Sequence, residues 1–350
     1  MRKSNMNDIF TRSSRNPILR PNPKNDWEAL KVYNPGVLYE NNVYHLFYRA
    51  RGKGGTSTIG YAISKDGEKF QRFNEPLIVS ENNSYSIEDP RIAKVEDKYF
   101  LTHTFYNGIN VTLNLVTSKD LKLWENRGEM LVDWDLYKGY GFLIEWDPAQ
   151  VEAEKNPTAR IKWSKAGAIF PELIQNKYWM LFGDRNIWLA SSTDGIKWQP
   201  IWEPFIKPRG GNYFDNEHVE MGPPPLKTEK GWLVLYHGVN QNIEYKIGFL
   251  ILDLHNPARI ISRSEYPIFE PREYYELSGL VDILPGGYET MMKMGKDELN
   301  EFIKENEDSG KMPKVVFSCG AVLVNGEVRI YYGASDQFIC TATASLNDIL

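Results

Sequence analysis

Residues 43–70 read VYHLFYRARGKGGTSTIGYAISKDGEKF, and this stretch decides the fold. An aromatic-rich run, Val43 to Arg49, is followed after a glycine-rich gap by a second run, Ile59 to Ser64, and then by Lys65-Asp66-Gly67 and Phe70. Alternating strand-forming residues next to an Asp-Gly pair are a strong hairpin signal. The unit returns as Lys98 to Tyr106 with Val111 to Ser118, followed by Lys119-Asp120 and Trp124. It returns again as Lys177 to Phe182 with Ile187 to Ser192, followed by Asp194-Gly195 and Trp198. A fourth copy pairs Gly231 to Val239 with Tyr245 to Asp253, and a fifth pairs Glu327 to Gly333 with Phe338 to Ser345. Quasi-repeated meanders that each bury one face against a neighbour predict an all-β, five-bladed β-propeller rather than a sandwich.

The five units spread over all 350 residues, so one domain covering 1–350 is expected. Two stretches interrupt the rhythm. Trp134 to Lys162 reads as a long loop between blades two and three, and 289–306 has the spacing and composition of a helical insertion between blades four and five. The polar, basic segment 1–20 reads as an N-terminal arm, and this arm and the helical insertion are candidate contacts in a homo-oligomer.

Composition narrows the function classes. With 42% apolar and 25% charged residues the chain has the make-up of an ordered globular protein. A net charge of −5 without a Lys/Arg block argues against nucleic acid as a partner. No run approaches the ~18 apolar residues that a spanning helix needs, and the N-terminus lacks an apolar signal region. Cys319 and Cys340, the two cysteines, lie in apolar runs, which favours neither a disulfide scaffold nor a thiolate metal site. A cytoplasmic enzyme without a metal or organic cofactor is expected.

Polar residues break the strand pattern at Tyr33-Asn34-Pro35-Gly36 with Tyr48-Arg49-Ala50-Arg51, at Glu88-Asp89-Pro90-Arg91, across Asp215 to Pro225 with Tyr236-His237-Gly238, and at Tyr331 to Asp336. In a propeller such segments meet in the central funnel. Glu88-Asp89-Pro90-Arg91 reads as a rigid turn just before the inner strand of blade two, offering two carboxylates and a guanidinium to acid catalysis. Alone, such a tetrapeptide is more often a salt-bridged surface turn. His45 and His103 read as strand histidines, and no His, Cys and carboxylate cluster has metal-ligand spacing.

Taken together, the motifs resemble glycoside hydrolase family 130, the β-mannoside phosphorylases and their hydrolytic relatives. The resemblance runs through Asn34-Pro35, Tyr48-Arg49-Ala50, Glu88-Asp89-Pro90-Arg91, Phe170-Pro171-Glu172, Gly222-Pro223-Pro224-Pro225, Tyr236-His237-Gly238, Phe317-Ser318-Cys319-Gly320 and Tyr331-Tyr332-Gly333-Ala334. It implies an inverting reaction on the terminal mannose of a β-mannooligosaccharide, with Asp89 as general acid acting through the sugar's 3-hydroxyl. It also implies that Asn34, Glu88, Arg49 and Arg91 hold the mannose, with Asp336 as a further contact.

The nucleophile is left open between phosphate and water. The resemblance puts Lys165, His237 and Tyr245 at phosphate-binding positions, with the basic Lys246 adjacent, and this set favours a phosphorylase using inorganic phosphate as co-substrate. Against it, Lys165-Ala166-Gly167 and Gly183-Asp184 stand where the family's phosphorylases carry further arginines. Glu220, or Glu217 as second choice, would be the base of an inverting β-mannosidase, and both could instead contact an acceptor sugar. Further alternatives are a non-catalytic glycan-binding propeller and a furanosidase-like enzyme, which the motif order fits poorly.

Overall fold

The computed structural model describes residues 9–134, 161–276 and 314–350, with Thr290, Lys293 and Glu298 as isolated positions. Strand β1 (Thr11–Arg12) comes first. Four strands then form blade I: β2 (Lys31–Glu40), β3 (Val43–Arg51), β4 (Ser57–Ser64) and β5 (Gln71–Arg72). Blade II holds β6 (Ser86–Val95), β7 (Lys98–Tyr106), β8 (Val111–Ser118) and β9 (Glu125–Glu129). Blade III holds β10 (Ala168–Ile169), β11 (Tyr178–Phe182), β12 (Trp188–Ser192) and β13 (Gln199–Pro200). Blade IV holds β14 (His218–Met221), β15 (Leu226–Thr228), β16 (Gly231–Val239), β17 (Tyr245–Leu252) and β18 (Ile260–Arg263). Blade V holds β19 (Val316–Val324), β20 (Glu327–Ala334) and β21 (Phe338–Ser345), and a single helical turn α1 (Leu346–Ile349) follows. Every pairing is antiparallel within a blade, as the five-bladed propeller requires.

The repeated Asp turn has a local cause. Ser64, Ser118 and Ser192 each accept, through Oγ, the backbone N–H three residues on, from Gly67, Leu121 and Gly195. Asp66, Asp120 and Asp194 each accept two further N–H groups through Oδ1. Side-chain oxygens thereby replace the ladder where the third strand hands over to the fourth. The aromatic after the turn then reaches the preceding blade. Phe70 meets Tyr331 of blade V edge-on at 5.8 Å, Trp124 meets Phe47 of blade I at 5.9 Å, and Trp198 is buried with Ala93 and Phe100 of blade II.

The N-terminal segment is part of the ring. Strand β1 pairs with β21, Thr11 opposite Thr343 and Arg12 opposite Ala342, so the start of the chain supplies the outermost strand of the last blade. Ser13 and Leu19 also donate their backbone N–H groups to Thr341 and Ile339, so over residues 9–20 the arm expected from the sequence is joined to blade V. Arg12 donates through Nε and Nη2 to the two oxygens of Glu276, both at 2.8 Å, and its guanidinium lies 4.2 Å from the Phe269 ring centre. Glu276 is fully buried and also accepts from Tyr332 Oη (2.8 Å) and from the N–H groups of Arg272 and Glu273. Within 289–306 the three described positions, Thr290, Lys293 and Glu298, are helical; the rest, and residues 135–160 of the expected loop, lie outside the described residues.

Arg12→Ala leaves the Glu276 carboxylate buried without its cation, so urea unfolding should show a loss of roughly 3 kcal/mol. A loss under about 0.5 kcal/mol would show that β1 does not hold the ring closed.

Candidate active site

The innermost strands of the blades do not run regularly past the axis. β2 loses register between Tyr33 and Gly36, β6 between Glu88 and Arg91, and β19 between Phe317 and Gly320. Asn34 and Asp89 sit in the left-handed region at φ 47° and 53°, which short polar side chains tolerate better than most. A bulge re-aims the side chain it carries, and here it brings Asn34 and Asp89 face to face. Glu88-Asp89-Pro90-Arg91 is thus inside inner strand β6, not in a turn ahead of it as the sequence suggests.

Asp89 is 6% exposed, and its Oδ1 accepts from Asn34 Nδ2 at 2.8 Å and from Arg49 Nη1 at 3.2 Å. Arg49 also donates through Nη2 to Glu88 Oε1 (2.5 Å) and through Nε to Ser57 Oγ (3.0 Å), with its guanidinium 4.7 Å from the Tyr33 ring centre. Burial pushes the pKa of Asp89 up, but Arg49, Lys165, Arg91 and the Asn34 hydrogen bond together hold it below the ordinary aspartate value. Glu88 goes the other way: burial and the neighbouring Asp89 charge raise it against the pull of Arg49. The two carboxylates share one guanidinium, so their titrations are coupled, with Glu88 shifted up and Asp89 down. Asp336, in the β20–β21 turn at φ 54°, faces the same cluster; burial raises its pKa while Arg49 and Lys31 lower it.

A second wall comes from blades III and IV. Lys165 Nζ stands 3.4 Å from Glu220 Oε1 and 3.5 Å from Asp184 Oδ2. Burial lowers the pKa of Lys165, yet Glu220, Asp184 and Asp89 raise it well above the ordinary value, so the ammonium is retained. Glu220 is 3% exposed and is pushed up to about 7, first by burial and then by Asp184 and Asp89, against Lys165 and Arg91. Tyr245 Oη lies 3.4 Å from His218 Nε2, and burial moves His218 down to about 4, which leaves the ring neutral. Arg185 lies beside His218 and helps lower it.

Asn34, Arg49, Glu88, Asp89, Lys165, Glu220, Tyr245 and Asp336 are therefore brought together. The other four expected contacts are placed differently. Arg91 is read from sequence as a sugar contact, but its guanidinium donates to the backbone carbonyls of Gly222 (2.8 Å), Met221 (2.7 Å) and Asp89 (3.1 Å), tying blade II to blade IV. His237 is wholly buried, stacks on Phe317 at 4.1 Å and accepts the Ser318 N–H through Nε2 at 2.8 Å, while its Nδ1 has no hydrogen-bond partner and its ring feels the charges of Arg91, Asp89 and Lys165. Lys246 follows Tyr245 on β17, so it projects from the opposite face, where it pairs with Glu244 and Glu270, each at 3.1 Å. Glu217 is exposed just ahead of β14. The structure adds Asp184, Arg185 and His218, which the sequence reading passed over. The available signal was positional: Gly183-Asp184-Arg185-Asn186 joins the second and third strands of blade III, as Ser335-Asp336-Gln337 does in blade V. Among the described residues, no group of three or more His, Cys, Asp and Glu side chains is placed to hold a metal ion.

A funnel that gathers an acid, a carboxylate titrating near neutrality and several cations in a five-bladed propeller marks the class of propeller enzymes that act on glycosidic bonds. The model of glycoside hydrolase family 130, described as beta-1,4-mannooligosaccharide phosphorylase, matches residues 1–296 and 301–350, and the chain belongs to that family. It is 33% identical to a β-1,2-mannobiose phosphorylase of Thermoanaerobacter sp., over 95% of this chain and 96% of that protein. It is 31% identical to a 1,2-β-oligomannan phosphorylase of Thermoanaerobacter sp., over 97% and 98% of the two chains. The solved β-1,2-mannobiose phosphorylase of Listeria innocua, in complex with β-1,2-mannobiose, shares the fold at a TM-score of 0.72, with 23% identity over 97% of this chain and 98% of that one.

Because Glu220 titrates near 7 in the folded chain and near 4.5 as a free side chain, the native state keeps a proton that the unfolded state has lost between those values. Stability therefore falls on its account as pH rises from about 4.5 to 7, by up to about 3 kcal/mol. Urea unfolding at pH 5, 6 and 7 should show this fall reduced in Glu220→Gln; parallel profiles for parent and variant would place the Glu220 pKa at its ordinary value.

Proposed function

We propose that this β-mannoside-active propeller is an inverting phosphorylase that removes the non-reducing mannose of β-1,2-linked mannooligosaccharides as α-mannose 1-phosphate. The observation that carries the reading is the buried ammonium of Lys165, in the same funnel as Asp89 and Tyr245, with neutral His218 next to Tyr245 and Arg185 near His218. Fixed cations and donors in a water-poor site are what a phosphate dianion needs for alignment and charge compensation. The preference for a β-1,2 linkage rests on the relatives from Thermoanaerobacter.

The residues divide the reaction between two walls. Asn34, Arg49 and Asp336 hold the hydroxyls of the terminal mannose against blades I, II and V. Lys165 and Arg185 hold phosphate so that one oxygen faces C1. As that oxygen forms the new C1–O–P bond, the glycosidic C1–O bond breaks on the opposite side, and Asp89 supplies the proton that ends on the released saccharide, through the 3-hydroxyl. Displacement from one face converts the β-anomer to α. In the empty funnel the neighbouring cations keep Asp89 ionised, whereas a bound dianion raises the pKa of nearby carboxylates. Phosphate binding thereby loads the acid with its proton. By the same logic Glu220, which titrates near 7, is protonated next to phosphate and donates a hydrogen bond to it.

Incubation with β-1,2-mannobiose should give mannose 1-phosphate only when phosphate is present. Asp89→Asn should lower kcat/KM by about 10³-fold, and Lys165→Ala should raise KM for phosphate by at least about tenfold with a smaller change for the saccharide. Free mannose formed at the same rate without phosphate would overturn the reading and make Glu220 the base of a hydrolase.

A further inference from the structure

A cavity of about 590 Å³ lies at one end of blade IV, lined by none of the residues that gather around Asp89 and Lys165. One wall is the β16–β17 turn, with Asn240 and Asn242; another is the segment before β14, with Tyr213 and Asn216; a third carries Tyr266; and Lys246 lies at its base. The β16–β17 turn occupies in blade IV the position that the Asp336 turn occupies in blade V, so the cavity opens on the face of the propeller that carries the funnel. Its walls continue the strands of the active site: Lys246 follows Tyr245, and Asn216 precedes His218 by two residues, about 7 Å of extended chain.

The lining has a definite chemistry. Tyr213 and Tyr266 are 42% and 54% exposed and come from separate segments. Large aromatic faces left in water are costly, and lining a cavity they suit the apolar C–H faces of sugar rings. Tyr213 is held in place by the Arg209 guanidinium, 4.2 Å from its ring centre. Asn216 donates through Nδ2 to the Gly211 carbonyl at 2.6 Å, while its Oδ1 is buried without a hydrogen-bond partner. A buried amide oxygen without a donor is costly, and a ligand hydroxyl is a donor that would satisfy it. Lys246 sits between Glu244 and Glu270 at 3.1 Å each, so its charge is compensated within the wall. Nothing in this setting favours an anion, in contrast to the funnel around Lys165.

We propose that this cavity is a second saccharide-binding site, which stacks pyranose rings of a β-mannooligosaccharide on Tyr213 and Tyr266 and hydrogen-bonds their hydroxyls through Asn216 and the β16–β17 turn. The site retains long chains beside the funnel and makes their capture more efficient than that of a disaccharide. The choice of mannose as the sugar rests on the proposed function; the site itself rests on the tyrosines and the amide.

The test uses the full chain. In Asp89→Asn without phosphate, so that no phosphorolysis occurs, calorimetric titration with β-1,2-mannotetraose should give two sites per chain. Adding Tyr213→Ala and Tyr266→Ala should weaken one of them by about tenfold or more, whereas Tyr213→Phe with Tyr266→Phe should keep it. With Asp89 restored, the alanine pair should leave phosphorolysis of mannobiose within about twofold of the parent and raise KM for mannotetraose severalfold. Unaltered tetraose binding in a folded alanine pair, or one site in the Asp89→Asn chain, overturns the proposal, and equal binding of cellotetraose overturns the mannosyl assignment. Tyrosine-dependent tetraose binding in a protein that forms no mannose 1-phosphate would sustain the site and sink the phosphorylase reading instead.

Discussion

Five inner strands meeting on one axis leave no room for side chains where their backbones cross, and the rest of the molecule follows from that crowding. A Cβ on Gly36 would lie 2.5 Å from the Pro90 carbonyl oxygen, and one on Gly320 would lie 2.6 Å from the Val37 nitrogen. Both distances are shorter than van der Waals contact allows, so only glycine lets β2, β6 and β19 come together. The same closeness breaks their register and forces the bulges that turn Asn34 and Asp89 into the funnel. Arg91, spanning from β6 to the carbonyls of Met221 and Gly222, fixes blade II against blade IV across this crossing. Its role is to hold the walls at a set spacing, and the buried carbonyls it serves would otherwise be unsatisfied.

Charge in the funnel is arranged by wall. Glu88, Asp89 and Asp336 gather around Arg49, while Asp184 and Glu220 gather around Lys165 with Arg185 nearby. Acids outnumber the cations that hold them, and burial makes full ionisation costly. The result is a division of labour: Asp89 is kept ionised and ready to accept a proton, while Glu88 and Glu220 keep theirs to higher pH. Under the proposed function, an entering dianion raises the pKa of these carboxylates, and they take up protons as it binds. Outside the funnel, the cavity lined by Tyr213 and Tyr266 also carries Glu265, Glu270 and the compensated Lys246, a lining that suits an uncharged ligand better than an anion.

Most of the ring was legible in the chain. The second and third strands of each blade are long, apolar and alternating, and Lys98–Tyr106 with Val111–Ser118 falls on β7 and β8 residue for residue. Inner strands were harder to read, because they carry Pro35, Pro90, Asn34 and Glu88 where a strand pattern demands apolar residues. Residues 11–12 of the N-terminal segment gave no signal at all: a two-residue strand is recognisable only by its partner β21. Within the site, the motifs located Asn34, Arg49, Glu88, Asp89 and Lys165, but they could not separate His237 from His218 or Tyr245 from Lys246. In each pair the residues are close in sequence or type, and the direction of the side chain sorts them.

The amino-acid sequence by itself determined the number of blades, the hairpins that build them and the acidic motif at their centre, since these depend on periodicity and local turn chemistry. Only the tertiary structure decided how these groups are used: it ties Arg91 to backbone carbonyls, turns Lys246 to the other face of β17 and adds Asp184 and His218 to the wall around Lys165 and Tyr245. The physical reason is that strand residues alternate between two faces, and the bulges at the axis shift that alternation by amounts set by how closely the five inner strands pack.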